Sequence, residues 1–280
     1  KIKNYNNYFK PVISKCDISV KSIEPGIVEK CDIINNNIEN YVAMKIPYIK
    51  FINFDEYFIY TKTLMFDIIS TYSYLVNSLH LLYKAKIIHY DLKIDNILIS
   101  DNKPLIIDFG ISIYYNNINE SNYKDYFYVY APEYYPWCFE IQLISYIVSY
   151  SSLQDLFTFN NIKLLSSNFI DKNPVFNFFT KEFTDNYKYS LIKYLKKYSN
   201  KPNNVVIKEI LKTRGSWDLY SLSILYLKLI YTLKDKFHKS ICLEKLIEIL
   251  LINISPYPEK RMSFNKTLNM INELKKKSDK

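Results

Sequence analysis

Within the stretch IIHYDLKIDNILISDNKPLIIDFG, residues 87–110, Asp91, Lys93, Asn96 and Asp108 stand at fixed offsets among apolar runs. Their chemistry is complementary: a carboxylate can take a proton, an ammonium can neutralise an anion, and carboxylate and amide oxygens suit a hard cation. Polar groups set among strands that want burial cost free energy unless each has a partner or a ligand. This is where the chain invites a search for a reaction.

The elements that hold these groups can be read from periodicity. Ile87-Ile88, Ile97 to Ile99 and Leu105 to Ile107 read as short strands, with Asp101-Asn102 turning between the last two. Upstream, Leu64, Ile68, Tyr72, Leu75, Leu79 and Leu82 recur at three- and four-residue steps, which predicts a helix with one buried face ending just before Ile87. Before residue 64 the chain is β-like, with Ile27-Val28 and Tyr41 to Ile46 separated by the polar loop Asn35-Asn36-Asn37. The remainder is mostly helical. Trp217 to Tyr231 is apolar nearly all round and is expected at the centre, and Ile241 to Ile252 is similar. Lys275-Lys276-Lys277 reads as a solvated tail.

With 280 residues, 49% of them hydrophobic, the chain can bury a real core as one large domain or two small lobes. Its formal net charge of +9 suits an anionic ligand such as a nucleotide, and equally nucleic acid or a membrane surface; nothing beyond that charge points to nucleic acid. Four cysteines lie far apart without a CxxC pair, so neither a zinc site nor a disulfide framework is expected, and a reducing, cytoplasmic setting is. No apolar run has the length of a membrane span and no signal peptide opens the chain.

His89-Tyr90-Asp91-Leu92-Lys93 with Asn96 matches the H-x-D-L-K-x-x-N form of a protein-kinase catalytic loop, and Asp108-Phe109-Gly110 matches D-F-G. The chain thus resembles the eukaryotic protein-kinase family. The resemblance implies ATP and Mg²⁺ as cofactors and a protein substrate. It also implies Asp91 as the group that accepts the acceptor's proton, Lys93 beside the transferred phosphoryl group, and Asn96 and Asp108 as metal ligands. Other landmarks follow in order. Val42-Ala43-Met44-Lys45 resembles the strand whose lysine grips the nucleotide phosphates. Ala131-Pro132-Glu133 resembles the end of the activation segment. Trp217-Asp218 resembles the start of the central helix, whose aspartate braces the catalytic loop. Arg261 is where the family places the arginine that pairs with the A-P-E glutamate, here Glu133. The composition and the phrase WCFEIQLISYI, Trp137 to Ile147, look like the divergent serine/threonine kinases of large DNA viruses, which would place the chain in host cytoplasm or virion.

The departures carry expectations too. Pro25-Gly26-Ile27-Val28 offers one glycine, Gly26, where the family's nucleotide-covering loop has three. From Lys45 to His89 is 44 positions, too few for a regulatory helix, two strands, a hinge and the predicted helix together. Glu56 is the acidic candidate to pair with Lys45. Tyr90 replaces the arginine that receives an activation-loop phosphate in many kinases, so gating through that contact is not expected. From Glu133 to Asp218 is 85 positions, which predicts a helical insertion at about 138–212 beside the substrate face.

The expected architecture is a two-lobed α+β kinase-like fold, with a reduced β-rich N-lobe over 1–63 and a mainly helical C-lobe over 64–280. The activity the resemblance implies is transfer of the ATP γ-phosphate to serine or threonine hydroxyls, since the family's tyrosine-specific members usually differ at the place of Lys93, two residues after Asp91. The alternatives are a catalytically silent kinase-like scaffold and a small-molecule phosphotransferase of related fold.

Overall fold

The computed structural model describes residues 2–24, 26, 40–237 and 240–278. Strand β1 (Ser14–Ser19) pairs antiparallel with β2 (Asn40–Lys45), Ser14 opposite Lys45, as a two-stranded ribbon. The Ile13 N–H donates to the Lys45 carbonyl at 2.8 Å and closes the ribbon's base. The expected strand at Tyr41 to Ile46 is therefore present as β2, while Ile27-Val28 and Asn35-Asn36-Asn37 lie outside the described residues.

Residues 46–51 carry no regular structure, and β3 (Ile52–Asn53) leads straight into helix α1 (Phe54–Tyr60) and then α2 (Leu64–Lys84). After β4 (Ile87–Ile88), strands β5 (Ile97–Ser100) and β6 (Lys103–Ile106) form a hairpin. β3 joins its β5 edge in the order β3-β5-β6. The hairpin loop is Asp101-Asn102, at φ 49° and 59°. A two-residue turn of this hand needs positive φ at both centres, and Asp and Asn tolerate it better than most side chains. The free edge of β6 is also covered. Phe9 bridges Ile106 in parallel, with Ile106 N–H donating to Tyr8 O (2.9 Å) and Lys10 N–H to Ile106 O (3.2 Å).

Helix α2 runs where its periodicity predicts, burying Ile68, Tyr72, Leu75, Leu79 and Leu82. Its face meets α8 (Trp217–Thr232), the central helix, and α9 (Ile241–Asn253). Buried hydroxyls fix their register: Tyr72 Oη pairs with Ser223 Oγ at 2.8 Å and accepts from Asn253 Nδ2 at 3.1 Å, while Tyr226 donates to Thr71 Oγ1 at 2.8 Å. Helix α1 falls before residue 64 yet belongs to this body. Phe54 and Phe58 are fully buried, with Phe54 edge-on to Tyr226 at 5.7 Å. Each such ring contributes about 1.5–3 kcal/mol by leaving water.

Strand β7 (Ile113–Tyr114) pairs with β4, and a short helix α3 (Tyr123–Tyr126) follows. The stretch where an insertion was expected holds α4 (Phe139–Tyr150), α5 (Phe159–Lys172), α6 (Lys181–Leu195) and α7 (Asn203–Leu211). A two-residue ladder joins β8 (Leu156–Phe157) to β9 (Lys201–Pro202). Its first helix is no appendage. Phe139, Ile141, Leu143, Ile144 and Ile147 of α4 are all in the core. Helix α10 (Phe264–Ser278) closes the fold against α2. Among the described residues no helix is long and apolar enough to cross a membrane.

Cys138, which precedes α4, is fully buried, and burial pushes its thiol well above the ordinary range. An unreactive thiol follows. Iodoacetamide is expected to label exposed Cys16 in the native protein and Cys138 only as the protein unfolds. Equal native labelling rates for the two would contradict this packing.

Candidate active site

The catalytic-loop residues are positioned by backbone geometry that the surrounding helices enforce. Tyr90 sits at φ 71°, a left-handed conformation that costs a bulky side chain roughly 1–2 kcal/mol. The buried Asp218 of α8 offsets that strain. Its Oδ2 accepts the His89 N–H at 2.8 Å and its Oδ1 the Tyr90 N–H at 3.1 Å. Burial pushes the Asp218 carboxyl up, and these two amide donors and His89 oppose that rise. The Tyr90 ring is buried against Trp137 (4.9 Å) and Phe127 (6.0 Å), so an aromatic cluster fills the place of a cation. His89 Nε2 lies 2.9 Å from the Ile107 carbonyl, which can only accept, so this nitrogen carries the proton. His89 is a buried brace rather than a base.

The same hairpin brings the polar groups together. Ile107 N–H donates to Asn96 O at 3.0 Å, which continues the β5–β6 ladder and sets Asn96 beside the chain entering Asp108. Asn96 Nδ2 donates to Asp91 O (2.8 Å) and Asp91 Oδ2 (3.1 Å). Lys93 Nζ lies 3.3 Å from that same Oδ2. Asp91 Oδ1 accepts the hydroxyl of Tyr134, a contact the sequence analysis did not foresee. Asp108 has φ 59°, and its Oδ1 accepts the Gly110 N–H at 3.1 Å. Phe109 packs edge-on to His89 (5.1 Å) and to Phe9 (5.9 Å), which ties the D-F-G turn to the chain's start.

Asn96 and Asp108 fit a hard cation on the atoms they leave open. Both Nδ2 bonds of Asn96 go to Asp91, so its Oδ1, the atom a cation would take, has no partner among the described residues. Asp108 likewise keeps Oδ2 open and is exposed. No group of three or more His, Cys, Asp or Glu side chains gathers among the described residues, so a metal here would draw its other ligands from phosphate and water. Two cavities of about 710 and 620 Å³ lie elsewhere, along Ile52 and the Asn102-Lys103 turn.

Two expected ion pairs are corrected. Arg261 does not pair with Glu133, which is exposed; its partner is Glu140 in the first turn of α4. Arg261 Nη2 donates to Glu140 Oε2 at 3.0 Å, and Nη1 lies 2.7 Å from Oε1, off line for a hydrogen bond but close enough for charge pairing. Glu133 has no such burial to satisfy; the Ala131-Pro132-Glu133 turn is pinned instead by Gln142, whose amide bonds both the N–H (3.2 Å) and the carbonyl (2.5 Å) of Ala131. An acid inside the apolar run WCFEIQLISYI was the available signal, since a buried carboxylate requires a cation. Glu56 lies on α1, whose apolar positions face the helical body, and forms no ion pair with Lys45. Lys45 is exposed at the base of the ribbon, with no side-chain bond to Asp91, Asn96 or Asp108. Among the described residues, a side chain added at the exposed Gly26 would meet nothing within 4 Å; its neighbours Pro25, Ile27 and Val28, with which the nucleotide-covering loop was expected, lie outside them.

A braced aspartate, an asparagine that bonds it and a second aspartate just past the next hairpin strand are the polar parts of a phosphotransferase. A sequence model of the protein kinase domain matches residues 2–146, and the chain belongs to the protein kinase family. Its mixed helices and small sheets fit the α+β fold of that family. No curated protein gives a significant match. The matched residues end inside α4, yet Asp218 and Arg261, beyond them, hold the catalytic loop and Glu140 in place.

Proposed function

We propose that the protein is an ATP- and Mg²⁺-dependent protein kinase acting on serine and threonine hydroxyls. The observation that carries this reading is the Asp91–Asn96–Asp108 arrangement: Asn96 holds one carboxylate oxygen of Asp91, the other accepts a hydroxyl, and the side chains of Asn96 and Asp108 each keep one oxygen open among the described residues. Mg²⁺-ATP, when bound, supplies the phosphoryl group and neutralises its charge. Asp91 takes the acceptor's proton. Asn96 keeps the Asp91 carboxylate in one rotamer, and Lys93 holds a positive charge beside it, where phosphoryl oxygens would pass. Asp218 keeps the loop from relaxing out of its strained conformation. Lys45 and Gly26, on a reduced N-lobe within residues 1–63, would meet the nucleotide, and the WCFEIQLISYI phrase supports a place among viral serine/threonine kinases.

That Lys45 has no ion-pair partner among the described residues favours a second reading, a silent scaffold. Nucleotide binding separates the two. A ligand that binds only the folded state at a hundred times its Kd adds roughly 2.7 kcal/mol of stability. A clear rise in Tm is expected with Mg²⁺-ATP, a smaller one with ATP plus chelator, and almost none in Lys45→Ala. Asp108→Ala should weaken Mg²⁺-ATP more than metal-free ATP, because the lost carboxylate serves the metal. Equal losses for both would remove Asp108 from the metal site. A radiolabelled-ATP assay on generic protein substrates tests transfer itself; wild-type protein with no Tm shift and no transfer at millimolar Mg²⁺-ATP would leave the scaffold.

A further inference from the structure

Asp91 has two carboxylate oxygens, and they are treated differently. Oδ2 is held by Asn96 Nδ2 and Lys93 Nζ, at 3.1 and 3.3 Å. Oδ1 accepts a hydroxyl from the chain's own Tyr134. In the kinase reading, the oxygen of Asp91 that Asn96 and Lys93 leave over receives the acceptor's proton, so a hydroxyl donating to it stands in the acceptor's place.

Tyr134 is held there by a short chain of contacts. Its N–H donates to Ala131 O at 2.9 Å, and its own carbonyl accepts the Trp137 N–H at 3.2 Å. Its ring meets Trp137 edge-on at 5.0 Å, and the Trp137 indole N–H donates to Tyr90 O at 2.7 Å, one residue before Asp91. Phenol and base are therefore fastened to the same few residues. Burial and the neighbouring Asp91 carboxylate push the phenol well above its ordinary range, so it carries the proton that a base must remove.

We propose that Tyr134 is the enzyme's own first acceptor, phosphorylated in cis by the site it occupies and expelled from that site once modified. The inference rests on the kinase reading. The Tyr134 oxygen gives its proton to Asp91 and bonds to the γ-phosphorus of a nucleoside triphosphate, while the bond from that phosphorus to the β–γ bridging oxygen breaks. The electron pair leaves with the nucleoside diphosphate, and Asp91 passes its proton to water. Tyrosine need not be the preferred acceptor in solution, because a tethered reactant works at effective molarities of up to about 10⁵–10⁸ M. The product carries roughly −1.5 to −2 charge at neutral pH. Beside the Asp91 carboxylate that charge is repelled, so the ring swings out and Oδ1 becomes free for a hydroxyl from another protein.

The test uses the full chain, treated with phosphatase, then given Mg²⁺-ATP together with a pool of serine- and threonine-containing peptides. Mass spectrometry is expected to find one phosphate on Tyr134, formed at a rate constant unchanged by about tenfold dilution. Peptide phosphorylation should show a lag that ends as Tyr134 fills and that vanishes in Tyr134→Phe. Tyr135→Phe should keep both the mark and the lag, and Asp91→Asn should lose the mark. Peptides phosphorylated while Tyr134 stays bare would overturn the inference and leave the kinase reading intact. A rate that falls with dilution, or a mark that survives in Asp91→Asn, would overturn it as well. No phosphate on peptide or tyrosine, with no Mg²⁺-ATP shift in Tm, would remove the kinase reading and the inference together. The mapping on the unsubstituted chain needs no variant to fold.

Discussion

Asp91→Asn is expected to lower phosphoryl transfer by about a hundredfold or more while the protein melts almost where the wild type does. The substitution keeps the shape of the side chain and removes its basicity, and positioned general bases contribute roughly 10²–10⁴-fold. Little structure is lost with the charge. The 2.8 Å bond from Asn96 Nδ2 goes to the backbone oxygen of residue 91 and survives. The amide oxygen can take the Oδ2 place and keep the donors of Asn96 and Lys93, while the amide NH2 donates to the Tyr134 hydroxyl oxygen. The Lys93 contact at 3.3 Å is partly solvent-exposed, and exposed pairs contribute about 0–1 kcal/mol. A large fall in kcat without a matching fall in Tm is therefore the signature, read as transition-state stabilisation lost. Turnover close to wild type would reject Asp91 as the proton acceptor.

The largest stability effect belongs to Glu140→Ala, which should destabilise by about 3–5 kcal/mol because it strands a buried guanidinium. Side-chain exposure is 1% for Arg261 and 2% for Glu140, so water cannot replace the lost partner. Arg261 is also spent on the Ser255 carbonyl (2.9 Å) and Ser216 Oγ (3.1 Å), so it ties α4 to the loop after α9 and to the entry of α8. Glu133→Ala, in contrast, should stay within about 0.5 kcal/mol, as surface substitutions usually do. Urea unfolding of the two variants side by side decides the matter. Comparable losses for both, or the larger loss for Glu133→Ala, would restore the pairing that the A-P-E tripeptide suggested.

That tripeptide shows where sequence reasoning runs out. Asp91, Asn96 and Asp108 were legible because their offsets are dictated by one local hairpin, and helices α2, α8 and α9 because burial imposes a period on their own residues. The partner of Arg261 depends instead on which acid is buried, and Ala131-Pro132-Glu133 matches letters without regard to solvent. Glu56 was misread for a related reason. Phe54, Tyr57 and Phe58 already marked the buried side of α1, and an acid between them had to face away from it. Phe9 and Tyr134 were out of reach in another sense, since an isolated aromatic gives no period and its partner is far along the chain. The residues that restrain the site were thus harder to read than the residues that form it.

The chain's start has a mechanical consequence. Tyr8 to Lys10 are fastened to the outer side of β6, Ile52 and Asn53 to the outer side of β5, and the ribbon of β1 and β2 rises between these two anchors. A panel hung on one strap can swivel and twist; one hung on two straps fixed to opposite edges of the same plate can only tip. The anchor at Phe9 also touches Phe109, so tipping the panel bears directly on the turn that carries Asp108. The backbone of Lys45, at the lower rim of that panel, therefore travels along an arc rather than through a volume, and the entropy lost in bringing its ammonium to a bound anion is mainly that of its own side-chain rotamers.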